Sequence, residues 1–349
     1  MKTLIIGPSW VGDMMMSQSL YRTLKQNNSA VEIDVMAPAW CRALLSKMPE
    51  VNRAIAMPIG HGKLALKARY QLGKQLRENQ YQQAIVLPNS LKSALIPYFA
   101  HIPKRTGWKG EMRYGLLNDI RQLDKSAFPL MVERYVALAY PKAQIHCADD
   151  LPKPLLYPRL SVSDDEIAVT RAEFNLFDED KPLIGFCPGA EFGPAKRWPD
   201  YHYAKLANML VKQGANIVIF GSAKDHAVGE AIKNAMISPE SCINLAGLTA
   251  LEQAVNLIAG CKAIVTNDSG LMHVAAALNK PLLALYGPSS PDFTPPLSEK
   301  AKVIRLITGY YKVRKGDADS GYHQSLIDIQ PELAFEELMM LIAKFQDKS

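Results

Sequence analysis

The chain has 349 residues and a formal net charge of +6, with 48% hydrophobic and 21% charged residues. This length exceeds what one hydrophobic core usually supports, and the composition excludes a disordered chain. The five cysteines are dispersed, which excludes a zinc or redox spacing, and no apolar run approaches the roughly 18 residues of a membrane span. The apolar stretch before Gly7 is too short for the core of a signal peptide, so we expect a cytoplasmic protein.

Short apolar runs alternate with helical patterns through the first half of the chain. The predicted strands are 3–7, 32–37, a weak 54–58 and 83–88, and the predicted helices are 14–26, 66–78 and 131–140. This alternation is typical of a parallel sheet that is covered on both faces.

A Pro-rich stretch with a cluster of acids, residues 149–166, predicts an extended linker because X-Pro steps disfavour helix. After a helix at 165–175 the pattern restarts, with strands at 183–189, 216–222, 263–268 and 282–287. We therefore predict an α/β protein with two Rossmann-like doubly wound domains, 1–160 and 161–330, facing a central cleft. The last helix, within 331–349, is expected to pack back on the first domain.

In open parallel sheets, ligands bind beyond the carboxyl ends of the strands, so the residues that follow each strand are the informative ones. The stretch NDSGLMHVAAAL (267–278) leads from a strand into an apolar helix. The exposed N–H groups at such a helix start form an anion site suited to a diphosphate. The candidate residues are Asp268, Ser269, Gly270 and His273. Helix capping by Asp268 or Ser269, and packing of His273 against the sheet, are the structural alternatives.

The loop PGAEFGPAKRWP (188–199) is fixed by three prolines and two glycines, yet it carries charged residues. A lysine on a rigid loop at a strand end can neutralise a departing diphosphate. An ordinary surface lysine needs no such scaffold, which favours a functional role. The donor-site candidates in this loop are Gly189, Ala190, Glu191, Lys196 and Arg197.

Two further turns of the second domain suit a nucleoside. In GSAKD, Asp225 can accept hydrogen bonds from ribose hydroxyls, as the acid beyond a Rossmann turn does. In AGLTAL, Gly247 and Leu248 offer a surface for a flat base.

The turn GPSWVGD of the first domain lacks the G-x-G-x-x-G pattern, and its Asp13 would repel a phosphate. If the nucleotide occupies the second domain, the first must bind the other substrate. Asp13 is then a candidate general base that removes a proton from an attacking hydroxyl, with Trp10 and Gly12 beside it. A helix cap is the alternative, although Met16 in place of Glu or Gln leaves no capping box.

Basic residues concentrate in KRTGWKGEMR (104–113) and again in YYKVRKG (310–316). Nucleic acid is one interpretation of these clusters, and an anionic headgroup or a phosphorylated sugar is another. For any single cluster, a solvated basic face is the more common explanation. With the turn PNSLKS, the acceptor-site candidates are Asn89, Ser90, Lys92, Lys104, Arg105, Lys109 and Arg113. The second cluster adds Lys312, Arg314 and Lys315.

Together, GPSWVGD, the KRWP loop and the D-S-G-x-M-H stretch resemble the lipopolysaccharide heptosyltransferases of glycosyltransferase family 9. The resemblance covers essentially the whole chain. It implies a GT-B fold, ADP-L-glycero-D-manno-heptose as donor, inversion at the anomeric carbon, and the first heptose of heptosyl-Kdo2-lipid A as acceptor. By position it makes Asp13 the base, brings Lys196 and Asp268 to the diphosphate, and gives Asp225 the ribose position, where a relative has glutamate.

None of the strand-end motifs contains a D-x-D sequence, so neither a metal nor another cofactor is expected, and Lys196 with a helix N-terminus would replace the cation. We expect peripheral contact with the cytoplasmic face of the inner membrane and no nucleic-acid partner. A heptosyltransferase acting on another inner-core sugar, an NAD-dependent dehydrogenase and a non-catalytic sugar-binding protein remain as alternatives.

Overall fold

The computed structural model contains two units, each organised around its own parallel β-sheet. It describes residues 1–60, 62–177, 180–190, 193–309, 316 and 321–346. The units are Met1–Pro158 and Arg159–Ser349. No helix in these described ranges is both long and apolar enough to cross a membrane.

The first sheet has the spatial order β3-β2-β1-β4-β5-β6, and every neighbouring pair is parallel. Ile5 in the central strand lies opposite Val35 on one side and Ile85 on the other, and its own side chain is fully buried. The strands are β1 (Lys2–Ile6), β2 (Glu32–Ala37), β3 (Arg53–Ala56), β4 (Gln83–Val86), β5 (Lys104–Trp108) and β6 (Asp119–Arg121).

Helices cover this sheet, as the alternation in the sequence predicts. They are α1 (Val11–Asn27), α2 (Arg42–Leu45), α3 (Leu66–Leu76), α4 (Leu95–Phe99) and α5 (Met131–Val136). Helix α1 packs on α5 and buries Met14, Met15 and Leu20, whereas α3 packs on α4. The predicted helix over 131–140 is shorter than expected, because its last turn is a 3-10 helix at Ala137–Ala139.

The second sheet has the order β12-β11-β10-β7-β8-β9 and is also entirely parallel. Numbered from its own first strand, this is the same topology as in the first sheet. The strands are β7 (Leu183–Cys187), β8 (Asn216–Ile219), β9 (Cys242–Asn244), β10 (Ala263–Asn267), β11 (Leu282–Leu285) and β12 (Ala301–Ile304).

Seven helices accompany this sheet within the described residues. They are α6 (Asp164–Glu173), α7 (Asp200–Lys212), α8 (His226–Asn234), α9 (Leu251–Ala259), α10 (Gly270–Ala277), α11 (Gln324–Ile327) and α12 (Pro331–Gln346). A single buried cluster joins Phe186, Leu206 and Ile219 to the side chains of α12.

The final helix differs from the sequence expectation, which had it packing on the first domain. Ala334, Leu338 and Ile342 recur every four residues and so form one apolar face. These side chains are buried in the core of the second unit, where α12 packs against α7, β11 and β12. The helix is therefore an integral layer of the second unit.

Candidate functional site

Each sheet reverses its strand order once, and several of the predicted site residues follow the strands on either side of that reversal. In the first sheet the reversal lies between β1 and β4, and in the second between β7 and β10. A crevice opens at the carboxyl ends of strands at such a switch point, because the two following connections run to opposite sides. Asp13 and Asn89 follow β1 and β4, and Lys196 and Asp268 follow β7 and β10.

Asp13 lies in the first turn of α1, two residues after the helix begins. The residue that caps the helix by its backbone position is Trp10, which makes no side-chain cap hydrogen bond and is 46% exposed. Burial raises the pKa of Asp13 from 3.8 to about 6, and among the described residues no hydrogen bond or opposite charge contributes to that pKa. Asp13 is thus not the capping residue, and its pKa suits a base that works near neutral pH.

The buried surroundings of Asp13 include a tyrosine from α5. Desolvation raises the pKa of Tyr135 well above its usual value, and the charge of Asp13 adds to that rise. Tyr135 is therefore a neutral phenol next to the carboxylate. This arrangement preserves the proton affinity of Asp13, since a neutral neighbour supplies no stabilising positive charge.

The turn after β4 is held in place by Arg113, whose side chain is fully buried. Its guanidinium donates to the Pro88 carbonyl at 2.7 Å, to Asn89 Oδ1 at 3.2 Å and to the Trp108 carbonyl. Burial lowers the pKa of Arg113 to about 10. The expectation that Arg113 contacts an anionic headgroup is therefore corrected: it positions the turn that carries Asn89 and Ser90.

The rest of the first basic cluster is divided between the amino end and the carboxyl end of β5. Lys104 and Arg105 begin β5, so they lie at its amino end, roughly 13 Å along the strand from the edge that holds Asp13. Arg105 donates to the Leu116 and Ile102 carbonyls at 2.6 Å each. The structure thus separates these two residues from Asp13, because they begin a strand that the sequence analysis did not predict.

Lys92 and Lys109 do lie beyond carboxyl ends of strands. Lys109 is exposed, follows β5 directly and places its ammonium 5.7 Å from the ring centre of Tyr114. Lys92 is half-buried in the 3-10 helix that follows Ser90. The second basic cluster, with Lys312, Arg314 and Lys315, lies outside the described residues.

In the second unit, the Lys196 loop (residues 188–199) reaches across the switch point. Lys196 Nζ lies 3.1 Å from Asp268 Oδ2, and both side chains are largely buried, with 21% and 12% exposure. The structure thus brings together the lysine and the acid that the sequence analysis assigned to one ligand. A cation in this partly desolvated position acts more strongly on a diphosphate than one on an open surface.

Asn267 ties both ends of the Lys196 loop to β10, a role that the sequence analysis missed. Its Nδ2 donates to the Pro188 carbonyl at 2.6 Å, and its Oδ1 accepts from the Trp198 backbone N–H at 3.0 Å. Tyr203 donates to the same oxygen at 3.2 Å. The side chain of Trp198 is fully buried and donates to the Ile329 carbonyl at 2.8 Å. The loop is therefore anchored at both ends.

The start of α10 provides backbone donors beside Asp268. Ser269 is the capping residue by position, and its side chain makes no cap hydrogen bond. Gly270 opens the helix without adding a side chain to this crevice. His273, one turn on, is buried, and desolvation lowers its pKa to about 4. His273 is consequently neutral at physiological pH and is no proton donor there.

Asp225 is already engaged in the structure. Its Oδ2 accepts from the Ser222 backbone N–H at 2.9 Å and from its hydroxyl at 2.7 Å, and its Oδ1 accepts from Arg197 at 3.1 Å. A side chain at Gly189 would come within 2.5 Å of Oδ2, so only glycine allows this close approach. Ribose hydroxyls would have to share this carboxylate with Arg197.

The remaining donor-site candidates line the same edge. Gly247 has a φ of +78° and packs against the backbone of Ala223, and the next residue, Leu248, is 59% exposed. Ala190, in the Lys196 loop, is buried. Glu191 lies outside the described residues. Across the ranges that the structure describes, no group of three His, Cys, Asp or Glu residues could hold a metal ion.

Comparison with known proteins supplies the family. The model of glycosyltransferase family 9 (heptosyltransferase) matches residues 69–323. Lipopolysaccharide heptosyltransferase 2 of Salmonella typhimurium is 68% identical over 346 residues, 99% of each chain. Lipooligosaccharide heptosyltransferase 2 of Haemophilus influenzae is 62% identical over 351 residues, 99% of this chain and 100% of the relative.

A solved structure agrees with this relationship. That of the E. coli ADP-heptose lps heptosyltransferase II has a TM-score of 0.91 and 64% identity, and the match covers 99% of both chains. The paired Rossmann-like sheets and this likeness confirm the predicted GT-B fold. The family model and the named relatives identify a glycosyltransferase rather than a dehydrogenase or a non-catalytic binding protein. The chain belongs to glycosyltransferase family 9, the heptosyltransferases.

Proposed function

We propose that this enzyme transfers L-glycero-D-manno-heptose from its ADP derivative to the first heptose of heptosyl-Kdo2-lipid A, with inversion at the anomeric carbon. The substrates follow the relatives at 62–68% identity, which are named as heptosyltransferases 2 of lipopolysaccharide or lipooligosaccharide. The similar E. coli protein of known structure is named as an ADP-heptose heptosyltransferase. The observation that carries the catalytic proposal is the half-buried Asp13 carboxylate, whose pKa is about 6.

Asp13 is the general base of the proposed reaction. Its carboxylate takes the proton from the acceptor hydroxyl while that oxygen forms a bond to the anomeric carbon of the donor heptose. The bond from this carbon to the diphosphate oxygen breaks, and its electron pair leaves with ADP. One displacement from the opposite face inverts the configuration, so no covalent nucleophile is required.

Lys196 and the start of α10 stabilise the departing ADP in this mechanism. The diphosphate gains negative charge as the bond breaks, and preorganised donors stabilise that charge without having to reorient. The 3.1 Å Lys196–Asp268 contact holds the ammonium at the switch point before the donor arrives. Asp268 then accepts hydrogen bonds from donor hydroxyls, and Leu248 contacts the adenine. Protein groups supply the charge neutralisation in this mechanism, so it requires no obligatory metal.

The first unit binds the acceptor in the same proposal. Asn89 and Ser90 are held by Arg113 and offer hydrogen-bonding groups beside the switch point. Lys92 and Lys109 add positive charge for an anionic inner core. Trp10 and Lys109 are exposed, and a lipid-anchored acceptor brings this edge into peripheral contact with the cytoplasmic face of the inner membrane.

The proposal is tested by ADP release from ADP-heptose with a purified truncated inner-core acceptor, with the product identified by mass and its anomeric configuration by NMR. Asp13→Asn should abolish most of the transfer and leave ADP binding by calorimetry unchanged. Asp165→Asn is the matched control, because Asp165 also lies in a first helical turn but is exposed. Retained configuration, or normal turnover of Asp13→Asn, contradicts the mechanism. Transfer only to another inner-core sugar contradicts the assigned acceptor.

A further inference from the structure

A pocket lies at the end of the second sheet opposite the Lys196 loop. Its volume is about 620 Å³, and its lining includes Leu183, Lys262, Pro281 and Lys300. These residues begin or directly precede β7, β10, β11 and β12. The pocket is therefore at the amino ends of the strands, roughly 13 Å along β7 from the edge that bears the Lys196 loop.

Positive side chains dominate this pocket. The cationic lining residues are Arg171, Lys181, Lys262, Lys280 and Lys300. No aspartate or glutamate appears among the described residues that line it. Such a concentration of one sign of charge in a concave surface focuses the electrostatic potential and attracts anions.

The lysines of this pocket are close enough to act on one another. Burial lowers the pKa of Lys280, and the charges of Lys300 and Lys262 lower it further. Lys280 Nζ also donates to the Ala259 carbonyl at the end of α9, at 2.9 Å. The neighbouring positive charges therefore disfavour the ammonium form of Lys280. A bound anion would offset that effect.

Compensation of helix dipoles explains only part of the cluster. Lys280 and Arg171 lie at the ends of helices, where positive charge is favourable, and Arg171 donates to the Phe177 carbonyl at 2.7 Å. Lys181 and Lys300 instead follow loops and precede strands. Helix dipoles therefore do not explain why Lys181 and Lys300 line the same pocket as Lys280 and Arg171.

One wall of the pocket is apolar. Ile167, Ile342 and Phe345 contribute to it. The Phe345 ring has the ammonium of Lys300 at 5.3 Å from its centre and that of Lys344 at the same distance. The wall can contact the organic part of a ligand while the lysines bind its charged part.

We propose that this pocket is a second anion-binding site, which takes a phosphate-bearing ligand with at least two negative charges. The ligand is either a free phosphorylated solute or the headgroup of an anionic lipid. In both cases Lys262, Lys280 and Lys300 bind the phosphate oxygens, since an ammonium group is a point-charge donor suited to phosphate.

The test is calorimetric titration of the full chain with inorganic pyrophosphate. Lys262→Gln with Lys300→Gln should weaken pyrophosphate binding at this site by about tenfold or more, because charge-assisted hydrogen bonds are lost. Lys212→Gln with Lys233→Gln removes the same charge from α7 and α8, outside the pocket, and should leave binding unchanged. Thermal melts establish that both variants fold.

The donor site also binds phosphates, so a readout confined to the pocket is required. In the Lys196→Ala protein, pyrophosphate should still protect Lys262, Lys280 and Lys300 from acetylation, measured residue by residue by mass spectrometry. Unprotected pocket lysines, or equal pyrophosphate affinity in both double variants, would overturn the proposal.

Vesicle sedimentation separates the two sources of the ligand. Vesicles of phosphatidylglycerol and phosphatidylcholine are compared with vesicles of phosphatidylcholine alone. If the Lys262→Gln, Lys300→Gln protein loses binding to the anionic vesicles together with pyrophosphate affinity, the ligand is a lipid headgroup. If only pyrophosphate affinity falls, the ligand is a free solute. If neither falls, the pocket is no anion site.

Discussion

Replacing Asp13 by asparagine should stabilise the first unit while removing most of the catalytic activity. The ionised carboxylate is partly buried without a charge partner among the described residues, and burial raises its pKa from 3.8 to about 6. Asparagine has nearly the same shape and carries no charge. It therefore removes both the desolvation cost and the proton acceptor.

The size of the stabilisation follows from the pKa. Each tenfold change in proton affinity corresponds to about 1.4 kcal/mol, so the ionised form is about 3 kcal/mol less stable in the folded than in the unfolded chain. This value already contains the interaction of the carboxylate with the helix dipole. We expect a gain of about 3 kcal/mol at pH 8, or about 6–12 °C in the melting temperature of the first unit.

The stabilisation by Asp13→Asn should increase as pH rises. The folded state binds the Asp13 proton more tightly, so wild-type stability falls as pH rises from about 4 to 6. The advantage of Asp13→Asn is then complete above pH 6, about half as large at pH 5 and absent below the unfolded pKa of 3.8. Wild-type kcat/KM should rise tenfold per pH unit up to about pH 6, whereas the variant should lose about a hundredfold or more in turnover.

Thermal melts at pH 5 and pH 8, with ADP-release kinetics on the same samples, measure both effects. Asp34→Asn is the control, because buried Asp34 accepts from Tyr81 at 2.6 Å, Asn52 at 2.9 Å and Arg53 at 3.0 Å. That variant should lose about 1–3 kcal/mol of stability. A destabilised Asp13→Asn, or a gain that does not change with pH, would refute the reasoning.

Three other outcomes are expected. Lys196→Ala should cost about 2–4 kcal/mol of transition-state stabilisation in kcat/KM, with exposed Lys212→Ala as the unaffected control; equal activity of the two would assign the Lys196 loop a purely structural role. Transfer activity should survive EDTA, and complete loss that a divalent metal restores would contradict charge neutralisation by protein groups. Arg113→Ala should lower the free energy of unfolding by about 2–4 kcal/mol and raise the acceptor KM while the Kd for ADP stays unchanged; calorimetry that finds weaker ADP binding would argue against its placement at the acceptor turn.

The strand-end motifs could be predicted from the sequence, because each motif follows an apolar run that predicts a strand. Leu4–Ile6 and Ile264–Val265 are two such runs. The segment Lys104–Trp108 could not, since it begins with two cations, contains a glycine and has Thr106 as its one β-branched residue. The sequence analysis predicted no strand there and grouped its basic residues as candidates for one acceptor site. The structure distributes them between two edges and buries Arg113.

The contacts of Asn267 could not be predicted from a local sequence pattern. It stands in a motif that the sequence analysis singled out, yet its partners Pro188 and Trp198 are 79 and 69 residues away in the chain. Only the adjacency of β7 and β10 brings them together. The same holds for the basic pocket, whose lysines precede separate strands and meet only when the sheet has formed.

The shared strand order of the two sheets places Asp13 and Lys196 in equivalent positions, each on the connection that follows the central strand of its unit. The two units thus form a structural repeat. The equivalent position carries a negative charge in the first unit and a positive charge in the second. In the proposed mechanism, nucleophile activation and leaving-group departure are divided between the two copies. If the two copies bind different ligands in this way, substitutions that select a new sugar donor would fall in one unit and those that select a new glycan acceptor in the other.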